Sequence, residues 1–315
     1  MLSSAVHTFA DADHYAAGIR AAEVEVTITA RGEFAAKRTR VDFHRLWIQR
    51  FSDSLPRVLH ADLIPGRAIF MFRTQPGPGM LWSGIELQAN NITRQAEADS
   101  VYQVSFGAAS TGAMSLPIEE IESIGATMAG CDLTPPRDTL TITAPPRAMA
   151  RLQRLHAAAG QLAEDAPEII ANPASARGLE QALIEAAVAA LRQGDPRENS
   201  FAQRQHSLIM RRFRKLLEEN PTEPFYIPEI CKEIGVSDRT LRVCCHEQFG
   251  IGPKRYLLLR RLHLARRALR EAHPHTTTVT DIATRFGFWQ FGRFAGEYRA
   301  LFGESPSITL HRPPD

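Results

Sequence analysis

Two stretches decide how this chain folds: IGVSDRTLRVCCHEQFG at residues 234–250 and FGFWQFGRFAGEYRALFG at residues 286–303. Each opens with a bulky apolar residue and Gly, and each closes on Phe-Gly. Around the first, Ile230, Cys231 and Ile234 have the spacing of a helix that packs through one face, with a small residue where two helices touch. Gly235 then supplies the positive-φ turn from which a second helix can leave steeply. Pro228 suits the first turn of the leading helix, and Ser237 is placed to cap the second. The later stretch repeats this plan. Ile282, Ala283, Phe286, Gly287 and Phe288 stand 52 positions after Ile230, Cys231, Ile234, Gly235 and Val236. Beyond the turn, Leu241, Cys245, Phe249, Gly250 and Pro253 meet Phe294, Tyr298, Phe302, Gly303 and Pro306 at an offset of 53, so the second turn is one residue longer. Thr278 and Asp281 read as a capping box ahead of it.

Between the copies, GPKRYLLLRRLHLARRALREA (252–272) places Tyr256, Leu259, Leu262, Ala265 and Leu269 on one stripe, the signature of a long connecting helix. Two helix-turn-helix units, near 227–249 and 279–302, on a stiff spacer are suited to entering successive major grooves on one face of B-DNA, ~34 Å apart. Charge agrees with this. Residues 200–315 hold 19 Lys and Arg against 12 Asp and Glu, a balance of +7, while the rest of the chain holds 18 and 23, a balance of −5. A basic third on an acidic body points to a polyanion partner, although a solvated basic helix face gives similar counts.

Upstream the pattern changes. EVEVTI (23–28) alternates apolar and polar residues, and RLWIQRF, RVLHADL, RAIFMF, MLWSGIEL, VYQVSF and TLTITA follow as further short strands, with RTQPGPGM as a turn. PIEEIESIGATMA (117–129) interrupts them as a helix. After APPR (144–147) the strand signals stop, and residues 148–164 and 175–194 are rich in helix formers. In the second of these, Leu179, Leu183, Ala186 and Ala190 form one stripe, which serves either internal packing or a dimer seam. QGDPREN (193–199) reads as a linker. The expected fold class is therefore α+β: a β-rich domain over 1–145, a helical linker and dimerisation segment over 146–200, and an all-α tandem helix-turn-helix domain over 201–315. The four cysteines (Cys131, Cys231, Cys244, Cys245) show no disulfide framework and read as small buried hydrophobes. No basic flank precedes an apolar run at the N-terminus, so a cytoplasmic location without membrane contact is expected.

IGVSDRTL, FGIGPKRYLLLRRLHLARRAL, DIATRFGF and FGESP together make residues 205–310 resemble the tandem helix-turn-helix domain of AraC/XylS-type bacterial transcription regulators. RYLLLRRLHLARRAL and GFWQFGRFAGEYRALFGESPS are most similar to the branch of the ethanolamine operon regulator. The resemblance implies double-stranded promoter or operator DNA as partner, RNA polymerase as a second partner of an activator, and a homodimer. It also implies a cupin-like N-terminal domain that senses a small effector or mediates dimerisation.

The resemblance assigns base contacts to Arg239, Arg242 and Val243, with Ser237 and His246 nearby on the same DNA-facing edge. An Arg there can bridge guanine O6 and N7, whereas Val243 can meet only a thymine methyl. On the second helix the matching outward residues are Gln290, Phe291, Gly292, Arg293 and Arg299. Arg293 is its best direct reader and Gln290 positions the backbone. Trp289 and Phe291 read instead as packing on a neighbouring helix, and Lys254, Arg255, Arg260, Arg261, Arg266 and Arg267 as phosphate contacts, with partial burial the alternative for Arg261.

Arg45, Trp47, Phe72, Trp82, Glu86 and Tyr102 are effector-pocket candidates by residue type. His44 and His60 are too scattered for a cupin metal set, CCH at 244–246 lies on packing positions, and no cofactor is expected. Nothing forms a nucleophile triad or a phosphate loop, so the chain does not read as an enzyme. Two alternatives stay open: a constitutive regulator whose N-terminal half only dimerises, and a cupin-type enzyme fused to a DNA-binding domain.

Overall fold

Alternating apolar residues between residues 3 and 143, with a last strand at 195–197, build two antiparallel sheets in the computed structural model, which describes residues 2–130, 132–197 and 200–312. The larger has eight strands in the order β1 (Ser3–Phe9), β3 (Ala36–Asp42), β4 (Trp47–Asp53), β11 (Ala109–Pro117), β6 (Arg67–Arg73), β9 (Asn91–Arg94), β12 (Leu140–Thr143) and β13 (Asp195–Arg197). The smaller has five: β2 (Ala22–Ile28), β5 (Arg57–Leu63), β10 (Ser100–Ser105), β7 (Met80–Trp82) and β8 (Ile85–Glu86). α1 (Ala12–Ala17), capped by the Asp11 carboxylate, closes one end, and α2 (Ile118–Ile124) runs on through a π turn to Ala129.

Successive strand residues face opposite sides, so each sheet has two faces to bury. On β6, Phe70 and Phe72 point into a core shared with α3 (Pro146–Asp165), α4 (Pro167–Ala171) and α5 (Pro173–Arg192), while Ile69 and Met71 point toward the smaller sheet. On β5, Leu59 and Ala61 meet the larger sheet, and Val58 turns outward to the C-terminal helices. Four layers result: α3 to α5, the large sheet, the small sheet, and the helices that begin with α6 (Phe201–Glu219).

One open alternative is decided here and one expectation changes. The stripe on α5 is used inside the chain: Leu183, Ala186 and Ala190 are fully buried against α3 and the large sheet, with Leu179 packed at the edge, so it supplies no dimer seam. Within the 193–199 segment, Asp195–Arg197 form β13 on β12; Glu198 and Asn199, like Cys131, lie outside the described residues. Buried polar groups fix two corners. The Glu180 carboxylate accepts the N–H groups of Arg45 (2.8 Å) and Leu46 (2.9 Å), tying the β3–β4 turn to α5. Asp53 and Arg57 pair at 2.8 Å, each side chain about 1% exposed, where the chain passes from one sheet to the other.

α9 (Pro253–Glu271) spans the C-terminal region and docks on the small sheet. Arg267 pairs with Asp13 (2.6 Å) and Glu25 (3.5 Å), Arg270 pairs with Asp11, and the His263 Nε2–H donates to the Ile28 carbonyl at 3.1 Å. No helix among the described residues is long and apolar enough to cross a membrane.

Candidate nucleic-acid interface

The first hairpin consists of α7 (Ile227–Ile234) and α8 (Asp238–Phe249), the second of α10 (Val279–Arg285) and α11 (Phe291–Phe302). Gly235 and Gly287 both turn at φ 72, the conformation that favours glycine. Their surroundings differ. A Cβ on Gly235 would meet nothing within 4 Å, whereas one on Gly287 would lie 2.3 Å from Pro224 Cβ. The inner face of α8 is Leu241, Cys244, Cys245 and Phe249, packed with Phe213 of α6 and Tyr256 of α9. Burial pushes the Cys244 thiol up to about 11 and raises Cys245 as well, which opposes the thiolate a metal would need. Tyr102 of β10 stacks edge-on against Phe249 at 4.8 Å, so the first unit is anchored to the small sheet through the back of its second helix.

The opposite face is free. Asp238, Arg239, Arg242, Val243 and His246 line one open strip along α8. Ser237 sits at the helix N-cap, where its hydroxyl accepts the Thr240 N–H at 3.1 Å. Arg242 is held by Asp238, with Nε 3.1 Å from both carboxylate oxygens and Nη2 3.0 Å from one of them. That carboxylate raises the Arg242 pKa. On α11, Phe294, Tyr298 and Leu301 are buried, and the Tyr298 hydroxyl donates to Thr309 of α12 (Pro306–Leu310) at 2.8 Å. Gln290, Phe291, Gly292, Arg293 and Arg299 are exposed, and Arg293 Nε bonds Glu297 at 3.0 Å. Trp289 is 69% exposed and Phe291 43%, so neither packs on a neighbouring helix as expected.

Four of the six arginines and lysines expected at phosphates are otherwise engaged. Arg260 is buried and donates to the Leu217 carbonyl at 3.2 Å, and Arg261 lies over the Phe288 ring. Arg266 faces Glu304 at 3.7 Å, and Arg267 belongs to the seam with the small sheet. Lys254 and Arg255, at the start of α9, remain exposed.

A concavity lined mainly by apolar side chains lies between the sheets. Of the six effector candidates, only Trp47 and Trp82 line it. Phe72 faces the α3–α5 core, Tyr102 faces the C-terminal helices, Glu86 is exposed on β8, and Arg45 pairs with Glu120 at 3.2 Å outside the cavity. Reading by residue type missed the polar groups that do matter there. The guanidinium of Arg20 lies 3.3 Å from the Trp47 ring centre and that of Arg67 3.5 Å, and two groups so close must occupy opposite faces. Burial, with Arg20 adding to it, pushes the Arg67 guanidinium down to about 10. Gln103 lines the cavity almost fully buried, and its Nε2 has no hydrogen-bond partner among the described residues. Among the described residues, the group with metal-ligand spacing is His60, Asp62 and Glu218, and Arg214 already bridges both carboxylates.

Residues 230–312 match a family model described as a helix-turn-helix domain. A stretch of 98 residues is 41% identical to the "Probable thc operon regulatory protein" of Rhodococcus erythropolis, and one of 98 residues is 34% identical to the "XylDLEGF operon transcriptional activator 1" of Pseudomonas putida. Each alignment takes in 31% of this chain and 30% of the relative, so the chain spans under a third of the length of these curated relatives. The solved AraC-like transcriptional activator CuxR aligns over 89% of this chain and 100% of its own at 12% identity, with a TM-score of 0.42. That last likeness is too loose to locate a site.

Proposed function

We propose that this protein is a sequence-specific DNA-binding transcription regulator of the AraC/XylS type, reading its operator through the exposed faces of α8 and α11. The observation that carries the reading is the helix-turn-helix built twice, with the first recognition helix buried on one side and open on the other along Arg239, Arg242, Val243 and His246. The similarity of residues 230–312 to a helix-turn-helix domain, and of a 98-residue stretch to operon regulators, supports it. Within the family, the connecting and second recognition helices favour the ethanolamine-operon branch. RNA polymerase is the further partner if the protein activates, and the protein acts without catalysing a reaction.

The test is a fluorescence titration of the purified protein against the DNA upstream of its own gene. Arg239→Ala is expected to weaken binding to that DNA by roughly tenfold or more, the value of one good bidentate contact, while affinity for scrambled DNA stays nearly constant. Equal affinity of the wild-type protein for native and scrambled duplexes at physiological salt would reject the reading.

The N-terminal half acts on this reading as an effector sensor, with residues 1–145 and the helices that cover them forming the sensory body and residues 201–315 the DNA reader. The cavity between the sheets suits a small molecule with an apolar body and one hydrogen-bond acceptor for Gln103 Nε2, beside the Arg20–Trp47–Arg67 stack. In a thermal-shift screen of metabolites, a true effector raises Tm, and Ala61→Trp, which fills the cavity, removes the rise while preserving DNA binding. A screen without a single stabilising compound would favour the constitutive regulator instead.

A further inference from the structure

We infer that the second recognition helix reads thymine methyl groups through Phe291 and Trp289, leaving hydrogen-bonded base readout mainly to the first. This rests on the DNA-binding reading above. α8 and α11 each run for 12 residues, from Asp238 and from Phe291, so their positions correspond one for one. Where α8 carries Arg239, Arg242 and Val243, α11 carries Gly292, Ala295 and Gly296. A Cβ at Gly292 or Gly296 would meet nothing within 4 Å, and neither glycine has a positive φ. Packing and backbone geometry therefore require neither, although a glycine inside a helix costs about 1 kcal/mol relative to Ala. A face stripped to backbone is suited to close approach by another surface.

Beside that bare face stand the apolar groups. Phe291 is the first residue of α11 and Trp289 lies two residues before it, both exposed. Arg293 has its Nε engaged by Glu297. The reading edge of this unit thus sets two exposed aromatic groups beside Gln290 and Arg293, where the matching edge of α8 presents Arg239 and Arg242. The N-terminal residues of a recognition helix are the ones that reach base edges, and the apolar group on those edges in the major groove is the thymine C5 methyl. Covering a methyl removes apolar area from water on both partners, whereas an unmethylated pyrimidine offers Phe291 nothing comparable.

The experiment uses the full chain and a duplex of its footprinted site in which deoxyuridine replaces thymidine across the half-site of the second unit, deleting methyl groups and nothing else. Wild-type affinity should fall roughly fourfold per contacted methyl, the equivalent of one buried carbon. Phe291→Ala should bind the thymidine duplex several-fold more weakly and be indifferent to the deoxyuridine exchange, while Phe291→Leu keeps most of the preference. Equal wild-type affinity for both duplexes, with Arg239→Ala still impaired, overturns the methyl reading and leaves DNA recognition standing. A loss on Phe291→Ala of the same size on both duplexes also overturns it, assigning the patch to folding or to a protein partner. If Arg239→Ala is without effect as well, the DNA-binding reading itself has failed.

Discussion

Asp53→Ala is expected to lower the unfolding free energy by about 3–5 kcal/mol, read as a shift in the urea midpoint followed by circular dichroism. Asp53 closes β4 of the larger sheet and Arg57 opens β5 of the smaller, and both side chains are about 1% exposed. Burial opposes the Arg57 charge, but Asp53 and the nearby Tyr15 more than offset it, so the guanidinium stays firmly protonated. Without Asp53 that cation would sit in the interior unpaired, and its Nε and Nη1 already have no hydrogen-bond partner among the described residues. The penalty comes from the orphaned charge more than from the lost bond. The double substitution Asp53→Leu with Arg57→Leu should therefore recover most of the loss. A double variant as unstable as the single one would show that the pair contributes mainly by attraction.

Acid should loosen the molecule by several kcal/mol between pH 7 and pH 5. Three buried histidines are held neutral: burial pushes His60 and His156 down to about 3, with Arg214 and Arg50 respectively adding to it, and His263 down to about 4. Around His263, Arg266 and Arg267 oppose protonation, while Asp13 and the Ile28 carbonyl partly favour it. In the unfolded chain each imidazole takes a proton below its usual value of about 6.5. Over the window from there down to about 4, the unfolded state binds more protons than the folded one, so stability falls with pH at about 1.4 kcal/mol per unit per histidine. His263→Gln keeps a donor for Ile28 and removes one titration, so its unfolding free energy should depend on pH by about a third less. An unchanged slope would remove His263 from the account.

The helical repeat was legible because packing imposes it twice: the glycine at each turn, the small residue at each helix contact and the Phe-Gly ending recur whatever covers the outside. Most strands were legible for the same reason, and RVLHADL is β5 residue for residue. The misses are physical. β3 reads AKRTRVD, yet Arg38 and Thr39 are buried, because other elements cover the faces of the sheet: Thr39 donates to Glu164 of α3 at 3.2 Å, and Arg38 lies over the Phe9 ring beside His7. β11 reads ASTGAMSLP, small residues flattened between β4 and β6. The pocket was less legible still. Residue type cannot tell Phe72 from Met71, although one faces the helices and the other the cavity. Nor does charge on α9 say that Arg267 meets Asp13 instead of a phosphate.

The strand β13 also sets a leash. It ends at Arg197 on the rim of the large sheet and α6 begins at Phe201, so three residues join the two bodies. Four peptide steps reach at most about 15 Å. Loss of the Asp11 and Asp13 contacts of α9 would therefore not free the C-terminal helices, which also keep the Tyr102–Phe249 contact with the small sheet and this short connection. The covalent tether keeps any parted surfaces at very high local concentration, which favours their return.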